Sequence, residues 1–394
     1  MTTGEAPGQP PVVPEVTPGS DQAEAKPASS DTAVQTAVAD SSETCTTPTE
    51  DGHAACMSIT APSSQSPYAN GASAAPDAGV DPPQWCEDSQ GKVVGTRTQV
   101  CQVGSLTYTT YRTVNGQRTT TGQANMIVIN YSYGDTGLPT IAHQIEVSAY
   151  GGWGDALNAS VDGQATLTGA CKRDSHSFPS KPLKPLNSWR LGQAFFDTTA
   201  TNAGDEGTCH TYWYLTFTNN NPIYTPAVVD YDLNDFRCDN NTAGRASVGC
   251  VVPWYASQLT YSKASTPNLV RHVNMAQASG LPGATFANPL VRTTRLLTIA
   301  RNREFACGDA PSIPDKSCDE YPIATSKNGL SAGGTRRSFD GCDLPNIPSG
   351  TGPTGASICM IPAAENSSQG GTNTQFFRAE RVLLDDPFRV VTTN

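Results

Sequence analysis

Ser357-Ile358-Cys359-Met360-Ile361-Pro362-Ala363-Ala364-Glu365-Asn366-Ser367-Ser368-Gln369-Gly370-Gly371 reads as a short strand from Ser357 to Ile361, a turn bearing oxygen donors, and then a helix beginning near Thr372. Pro362 and the paired glycines are the breaks that force the backbone out of regular structure and let side chains project. About forty residues earlier, Cys318-Asp319-Glu320-Tyr321-Pro322 sets two carboxylates before another proline. A strand, an oxygen-rich turn and a helix can hold one hard divalent cation, which prefers carboxylate and amide oxygens. Acidic residues in a solvated loop produce the same pattern, and the residues alone leave both readings open.

Working outward, Thr266-Pro267 is a helix start, with Thr as cap and Pro at the first helical position, and Gly280 is a natural stop. Leu269, Val273 and Ala276 recur between them at helical spacing, so one face packs inward, and His272 lies near that face. A second helix is expected from Arg292 to Arg303. Further upstream, Leu106–Tyr111, Met126–Tyr131, Ile141–Tyr150, Ala165–Thr168 and Tyr212–Phe217 are branched and aromatic runs separated by Gly, Asn, Asp and Pro, which are strand and turn signals. They predict a β-rich domain, a sandwich, over 85–262. Trp85, Trp153, Trp189, Trp213 and Trp254 all fall inside it, either as a stacking surface for sugars or bases or as core. His143 and His210 read as packing residues. Residues 1–84 are rich in Pro, Ala, Ser and Thr with little apolar clustering, too little to offset the entropy of ordering, and a disordered tail is expected there.

The charge is unevenly distributed. Of the formal −11, residues 1–84 contribute −10, eleven carboxylates against Lys26, while 266–394 hold twelve basic and eleven acidic residues. A near-neutral C-terminal domain leaves room for a local basic groove with weak, salt-sensitive contact to a polyanion, but not for tight binding through many phosphates. Twelve cysteines, none in paired CxxC spacing, with only five histidines, favour disulfides over zinc sites and an oxidising compartment. Cys45 with Cys56, Cys86 with Cys101 and Cys238 with Cys250 are attractive local pairs, although sequence order cannot assign connectivity. No window of 18 apolar residues exists to span a bilayer. The first twenty residues lack the basic start and apolar stretch of a secretory signal, so a signal peptide is expected to have been trimmed or to lie upstream of this numbering.

From Asn268-Leu269-Val270-Arg271-His272-Val273, through Arg301-Asn302-Arg303 and CDEYP, to Arg337-Ser338-Phe339-Asp340-Gly341-Cys342, Thr351-Gly352-Pro353-Thr354-Gly355 and ENSSQGG, the order of segments resembles that of the NucA/NucB deoxyribonucleases. The likeness covers about a third of the chain, and residues 85–262 are similar to the β-rich region ahead of this domain in some secreted bacterial members. The resemblance implies a compact ββα-metal, His-Me finger-like nuclease using one divalent ion, Mg²⁺ or Mn²⁺, on DNA. It implies Asp319 as the base that takes a proton from the attacking water. Glu320 would orient Asp319 or help hold metal through water. Glu365 and Asn366 would be the metal ligands, and Arg301, Arg303 and Arg337, with Arg336 and Arg378 as further candidates, would neutralise phosphate. His272 would be an auxiliary phosphate or water contact, or a structural histidine. Some members carry an acidic residue and paired glycines soon after the DEYP-like segment, whereas here Lys327-Asn328-Gly329 precede Gly333-Gly334, so no further ligand is expected from that loop.

The expected fold class is therefore α+β: a C-terminal nuclease domain at 263–394, a disulfide-bonded β-rich domain of unassigned role at 85–262, and an acidic tail at 1–84. The expected activity is that of a secreted, monomeric, non-specific endonuclease leaving 5′-phosphate ends, with an unidentified partner or surface ligand open for the β-rich domain. An Asp base and metal-bound water both favour turnover that holds or rises towards alkaline pH. Two rival readings are a secreted nucleic-acid or glycan binder without turnover, and a glycosidase using Glu320 and Glu365 as paired carboxyls.

Overall fold

The computed structural model describes residues 43–60, 79–233 and 235–394, with the backbone of a strand at Thr36–Ala37. Strands β1 to β15 are Thr36–Ala37, Thr44–Cys45, His53–Thr60, Lys92–Gly95, Gln99–Val114, Gln117–Asp135, Leu138–Gly154, Ala159–Gly169, Cys171–Ser177, Lys181–Pro182, Trp189–Thr198, Glu206–Asn219, Ala227–Asp232, Phe236–Asp239 and Gly249–Val251. A short helix α1 (Gln84–Glu87) precedes β4. Nine strands form one sheet, along β1-β4-β5-β6-β7-β11-β9 with β2 and β3 added at β5, and six form a second, β10-β8-β12-β14-β15 with β13 on β12. Inward residues of both sheets make one core, among them Leu106, Met126 and Val147 from the first and Trp213, Leu215 and Phe217 from the second. The alternation of buried and half-buried residues along β11 and β12 shows why these runs take the pleat. Between β5 and β6 the chain reverses through Asn115-Gly116, both at positive φ, the two-residue turn that matches strand twist.

Three expectations change here. Residues 53–60, placed by the sequence in a tail, form β3, pair with β5 and bury Ala54 to Met57. Four small or apolar residues cannot order themselves, but a long partner strand and the Cys45–Cys56 disulfide supply what the segment lacks. The remainder of the expected tail, 1–35, 38–42 and 61–78, lies outside the described residues. Trp213 is core, Trp254 packs against the same core, and Trp85 and Trp189 cover the outer cluster of the first sheet, while Trp153 is exposed, so the tryptophans make no common stacking surface. His143 is a buried packing residue between Asn130 and Thr211, its pKa pushed down to about 3 by burial. His210 is half-exposed and paired with Asp235 at 2.7 Å instead of packed inside.

The C-terminal part comprises β16 (Ser257–Ser262), α2 (Pro267–Ala278), β17 (Leu290–Val291), α3 (Leu296–Cys307), β18 (Lys316–Tyr321), β19 (Thr335–Arg337), β20 (Gly355–Pro362), α4 (Ala363–Ala379) and β21 (Pro387–Thr393). It starts six residues earlier than the expected 263, because β16 pairs in parallel with β21 and sends Leu259 and Tyr261 into the C-terminal core. Its two small sheets run β16-β21-β17 and β18-β20-β19. The second helix is displaced from 292–303 to 296–307. All twelve cysteines are paired, the three local bonds joined by Cys171–Cys209, Cys307–Cys318 and Cys342–Cys359.

A buried ionic network locks the two parts together. Arg97 lies 2.8 Å from Asp386 and donates to the carbonyls of Glu380, Arg381 and Val252. Arg237 reaches the other oxygen of Asp386, and Arg381, fully buried, pairs with Asp239 at 2.9 Å and donates to the Thr136 carbonyl. Three guanidinium groups thus face two carboxylates, and backbone carbonyls accept others of their N–H groups, which makes removal of any one member costly.

Candidate active site

Strands β18 and β20 form an antiparallel pair, Ser317 opposite Ile361 and Asp319 opposite Cys359, and the chain leaves β20 through Pro362 straight into α4. The expected turn at ENSSQGG is therefore absent. Ala363-Ala364 begin the helix nine residues before Thr372, and Gly370 and Gly371 are carried within it on a side where added Cβ atoms would meet nothing within 4 Å. Good helix formers at the start outweigh two glycines that cost about 1 kcal/mol each.

Along β18 side chains alternate between two faces. Ser317, Asp319 and Tyr321 face α2 and α4; Lys316, Cys318 and Glu320 face α3. Adjacent in sequence, Asp319 and Glu320 therefore do not share a site, and the expectation that Glu320 orients Asp319 fails for this reason.

On the first face, His272 joins Asp319 to Ser357. Its Nδ1 lies 2.6 Å from Asp319 Oδ2 and its Nε2 2.8 Å from Ser357 Oγ. A carboxylate only accepts, so Nδ1 carries a proton, while Nε2 and the Ser357 hydroxyl share the second bond, in which either can donate. The order Ser-His-Asp has the contacts of a nucleophilic triad, but Ser357 and His272 are fully buried and Asp319 is 2% exposed, so no substrate reaches the serine. His272 does not touch phosphate; it holds a carboxylate in place. Tyr261, hydrogen-bonded to Asn373 at 2.6 Å, adds to this wall, and burial together with the charge of Asp319 raises its pKa.

Glu365 and Asn366 lie in the first turn of α4. The Glu365 carboxylate accepts from the Asn268 amide N–H at 2.8 Å, the Leu269 N–H at 3.0 Å and the Asn268 side chain at 2.7 Å. It is the cap of α2. Thr266, expected in that role, makes no such bond and instead donates its hydroxyl to the Ser262 carbonyl. Oε1 takes one of these bonds and Oε2 two, so both oxygens are engaged at the start of α2. Asn366 donates to Ser317 Oγ at 2.9 Å and to the Cys318 carbonyl at 3.1 Å, which ties α4 to β18 and keeps its own Oδ1 as an acceptor.

On the second face, Glu320 is partly buried beside the Cys307–Cys318 disulfide. Burial, and secondarily the charge of Asp319, push its pKa up to about 8, against the pull of Arg303 and the Ala324 N–H. Asn302, buried, donates to the Ala324 and Ser326 carbonyls and accepts from the Ser331 N–H, clamping the loop that follows Tyr321. This turns the flanking Arg301 and Arg303 outward, where both are exposed.

A scan of family models matches residues 299–391 to Deoxyribonuclease NucA/NucB. The C-terminal segment is a NucA/NucB deoxyribonuclease domain. Searches of curated proteins and of solved structures return no match. The NucA/NucB domain implies DNase activity and a DNA substrate, and six disulfides agree with secretion. No described helix is long and apolar enough to cross a membrane.

The remaining arginines of the NucA/NucB domain divide sharply. Arg337, expected to bind substrate, is 1% exposed and spends its donors on Ser279, Gly352 and Thr354. It is a structural clamp, a role hidden in the sequence because the partners are backbone carbonyls of distant loops. Arg336 is paired with Asp309, and Arg378 reaches the Ala243 carbonyl of the β-rich domain. Sequence reading also missed Ser357, Asn302 and Tyr261. For Asn302 a signal existed, since it sits between two arginines in a motif already singled out; Ser357 and Tyr261 carry none outside the tertiary structure.

Proposed function

We propose that the C-terminal domain is a secreted, metal-dependent, non-specific endodeoxyribonuclease of the ββα-metal type, hydrolysing DNA phosphodiester bonds to leave 5′-phosphate ends. One observation carries the reading: the antiparallel β18–β20 pair runs directly into α4, and the first turn of α4 bonds back through Asn366 to the strand bearing Asp319.

Asp319 is the proton acceptor for the attacking water. Its Oδ2 is held by His272, and because the carboxylate is 2% exposed the proposal includes an opening of the surrounding wall that brings water to Oδ1. Locking a base in one orientation is what general-base catalysis requires, and such a base contributes about 10² to 10⁴ in rate. The donor chemistry fits a hard cation at one residue and not at the other: Asn366 Oδ1 is an amide oxygen without a competing bond, whereas Glu365 is committed to α2. Among the described residues, the one group of three or more His, Cys, Asp and Glu side chains close enough to share an ion is Glu43, Cys45 and Cys56, and these cysteines are bonded to each other. A small cation that keeps most of its water needs only one or two protein ligands. Bound there, Mg²⁺ or Mn²⁺ would supply Lewis-acid stabilisation of the phosphate. Non-specificity follows from chemistry that needs only a phosphate. The glycosidase reading loses its support, because Glu320 and Glu365 lie on opposite sides of the β18–β20 pair.

The test is plasmid cleavage by the oxidised protein with Mg²⁺ or Mn²⁺ and then excess EDTA, beside Asp319→Asn and Asn366→Ala variants checked for folding. Metal-dependent nicking that falls at least about a hundredfold in both supports the proposal. A folded parent that binds plasmid but never nicks it points to the binding protein instead.

A further inference from the structure

Helix α3 is packed into the domain by little of its surface. Of its residues only Asn302 and Ala306 are buried, whereas Leu296 is 82% exposed, Leu297 64% and Phe305 50%. Beyond Ser257 one other large apolar side chain among the described residues is exposed, Leu384. Such clustering on a single helix is the kind of surface that has a partner.

Its charge names the partner's chemistry. On α3 itself Arg301 and Arg303 stand against Glu304, two positive charges less one negative, and Arg295 adds a further positive charge at the residue that caps its N-terminus. Among the described residues none of the three arginines forms an ion pair, in contrast to Arg336 beside them. The surface lies on the face of β18 opposite Asp319 and is joined to that strand covalently. Arg303 bears on the ionisation of Glu320, and the Cys307–Cys318 disulfide bolts the C-terminal end of α3 to the strand that carries Asp319.

We propose that α3 is the duplex-docking element of the enzyme: Arg301 and Arg303 contact phosphates, and Leu296 and Leu297 enter the minor groove as an apolar wedge that unstacks a base step. The proposal rests on DNA as the polymer recognised, though not on turnover. An apolar wedge beside arginines is a general solution for minor-groove binding that reads deformability instead of sequence, and it kinks the duplex towards its major groove.

The experiment measures binding of the full-length oxidised protein to a fluorescein-labelled 20-base-pair duplex in EDTA, so that affinity is read whether or not the protein cleaves. A second duplex carries 2-aminopurine to report unstacking. Leu296→Ser/Leu297→Ser, exposed and therefore compatible with folding, is expected to weaken binding at least about tenfold and to abolish the 2-aminopurine signal. Leu384→Ser should bind as the parent does. Arg301→Ala/Arg303→Ala should lower the slope of log affinity against log salt by up to about two, since each phosphate contact contributes roughly 0.9. Unchanged affinity in the leucine variant overturns the proposal and turns the face over to a protein partner; binding by the parent without a 2-aminopurine change overturns the wedge. Parent binding with a leucine-dependent signal, together with no cleavage in the separate plasmid assay with Mg²⁺ or Mn²⁺, would sink the nuclease reading and leave the docking surface standing.

Discussion

Replacing Glu320 by Gln removes the one carboxyl of the NucA/NucB domain whose ionisation the fold opposes most clearly. Its pKa is raised from the ordinary 4.5 to about 8 by burial and by the charge of Asp319. The sign follows from proton counting. Between these two values the unfolded chain has released a proton that the folded chain keeps, so stability falls as pH rises through this window and is level above it. The difference of about 3.5 pH units at 1.36 kcal/mol each amounts to about 5 kcal/mol. Solvent on the exposed side of the group makes that a ceiling, with about half a more realistic size. Glutamine keeps the shape and has no proton to lose. The variant should therefore match the parent near pH 4.5 and exceed it increasingly up to pH 8, by about 2 to 5 kcal/mol. Urea unfolding at pH 5, 6.5 and 8, followed by circular dichroism and compared by midpoint at constant slope, reads this directly. A gap that is the same at all three pH values would refute the reasoning, because only a carboxyl destabilised by its surroundings produces the trend.

Three other outcomes are expected. His272→Ala strands the buried Asp319 carboxylate and Ser357 hydroxyl, and should cost about 3–5 kcal/mol in the same urea assay; a loss under 1 kcal/mol would show that the pair is not buried as described. Glu365→Gln should cost about 0.5–2 kcal/mol as a damaged helix cap and keep turnover within about tenfold, whereas a hundredfold loss of turnover at unchanged stability would restore Glu365 as a metal ligand. Asp386→Ala leaves Arg97 and Arg237 without their shared partner, so calorimetry should show destabilisation of about 3–5 kcal/mol; an unaltered melting curve would mean that the network does not hold the two parts together.

The buried network changes how the β-rich region is understood. Arg97 comes from the turn between β4 and β5, Arg237 and Asp239 from β14, and Arg381 and Asp386 from the segment between α4 and β21. That segment follows the helix bearing Asn366 and Glu365. The β-rich part thus fixes the far end of α4, and the site's geometry depends on contacts nearly three hundred residues apart in sequence.

What the amino-acid order determined by itself is what local physics encodes. Pro267 and Gly280 bound α2, the alternating runs became long strands, the three local cysteine pairs formed, and the CDEYP and ENSSQGG segments named the family of the C-terminal domain. The tertiary structure alone decided the rest. Proton-accepting, capping and clamping roles depend on which polar groups meet, and those meetings are long-range: Glu365 caps a helix 97 residues upstream, His272 reaches Asp319 47 residues on and Ser357 85 residues on. Arginines of one stretch part in the same way, Arg301 and Arg303 towards solvent and Arg337 into the interior. A charged side chain looks alike in sequence whether water or buried carbonyls receive it, and only the packed chain determines which.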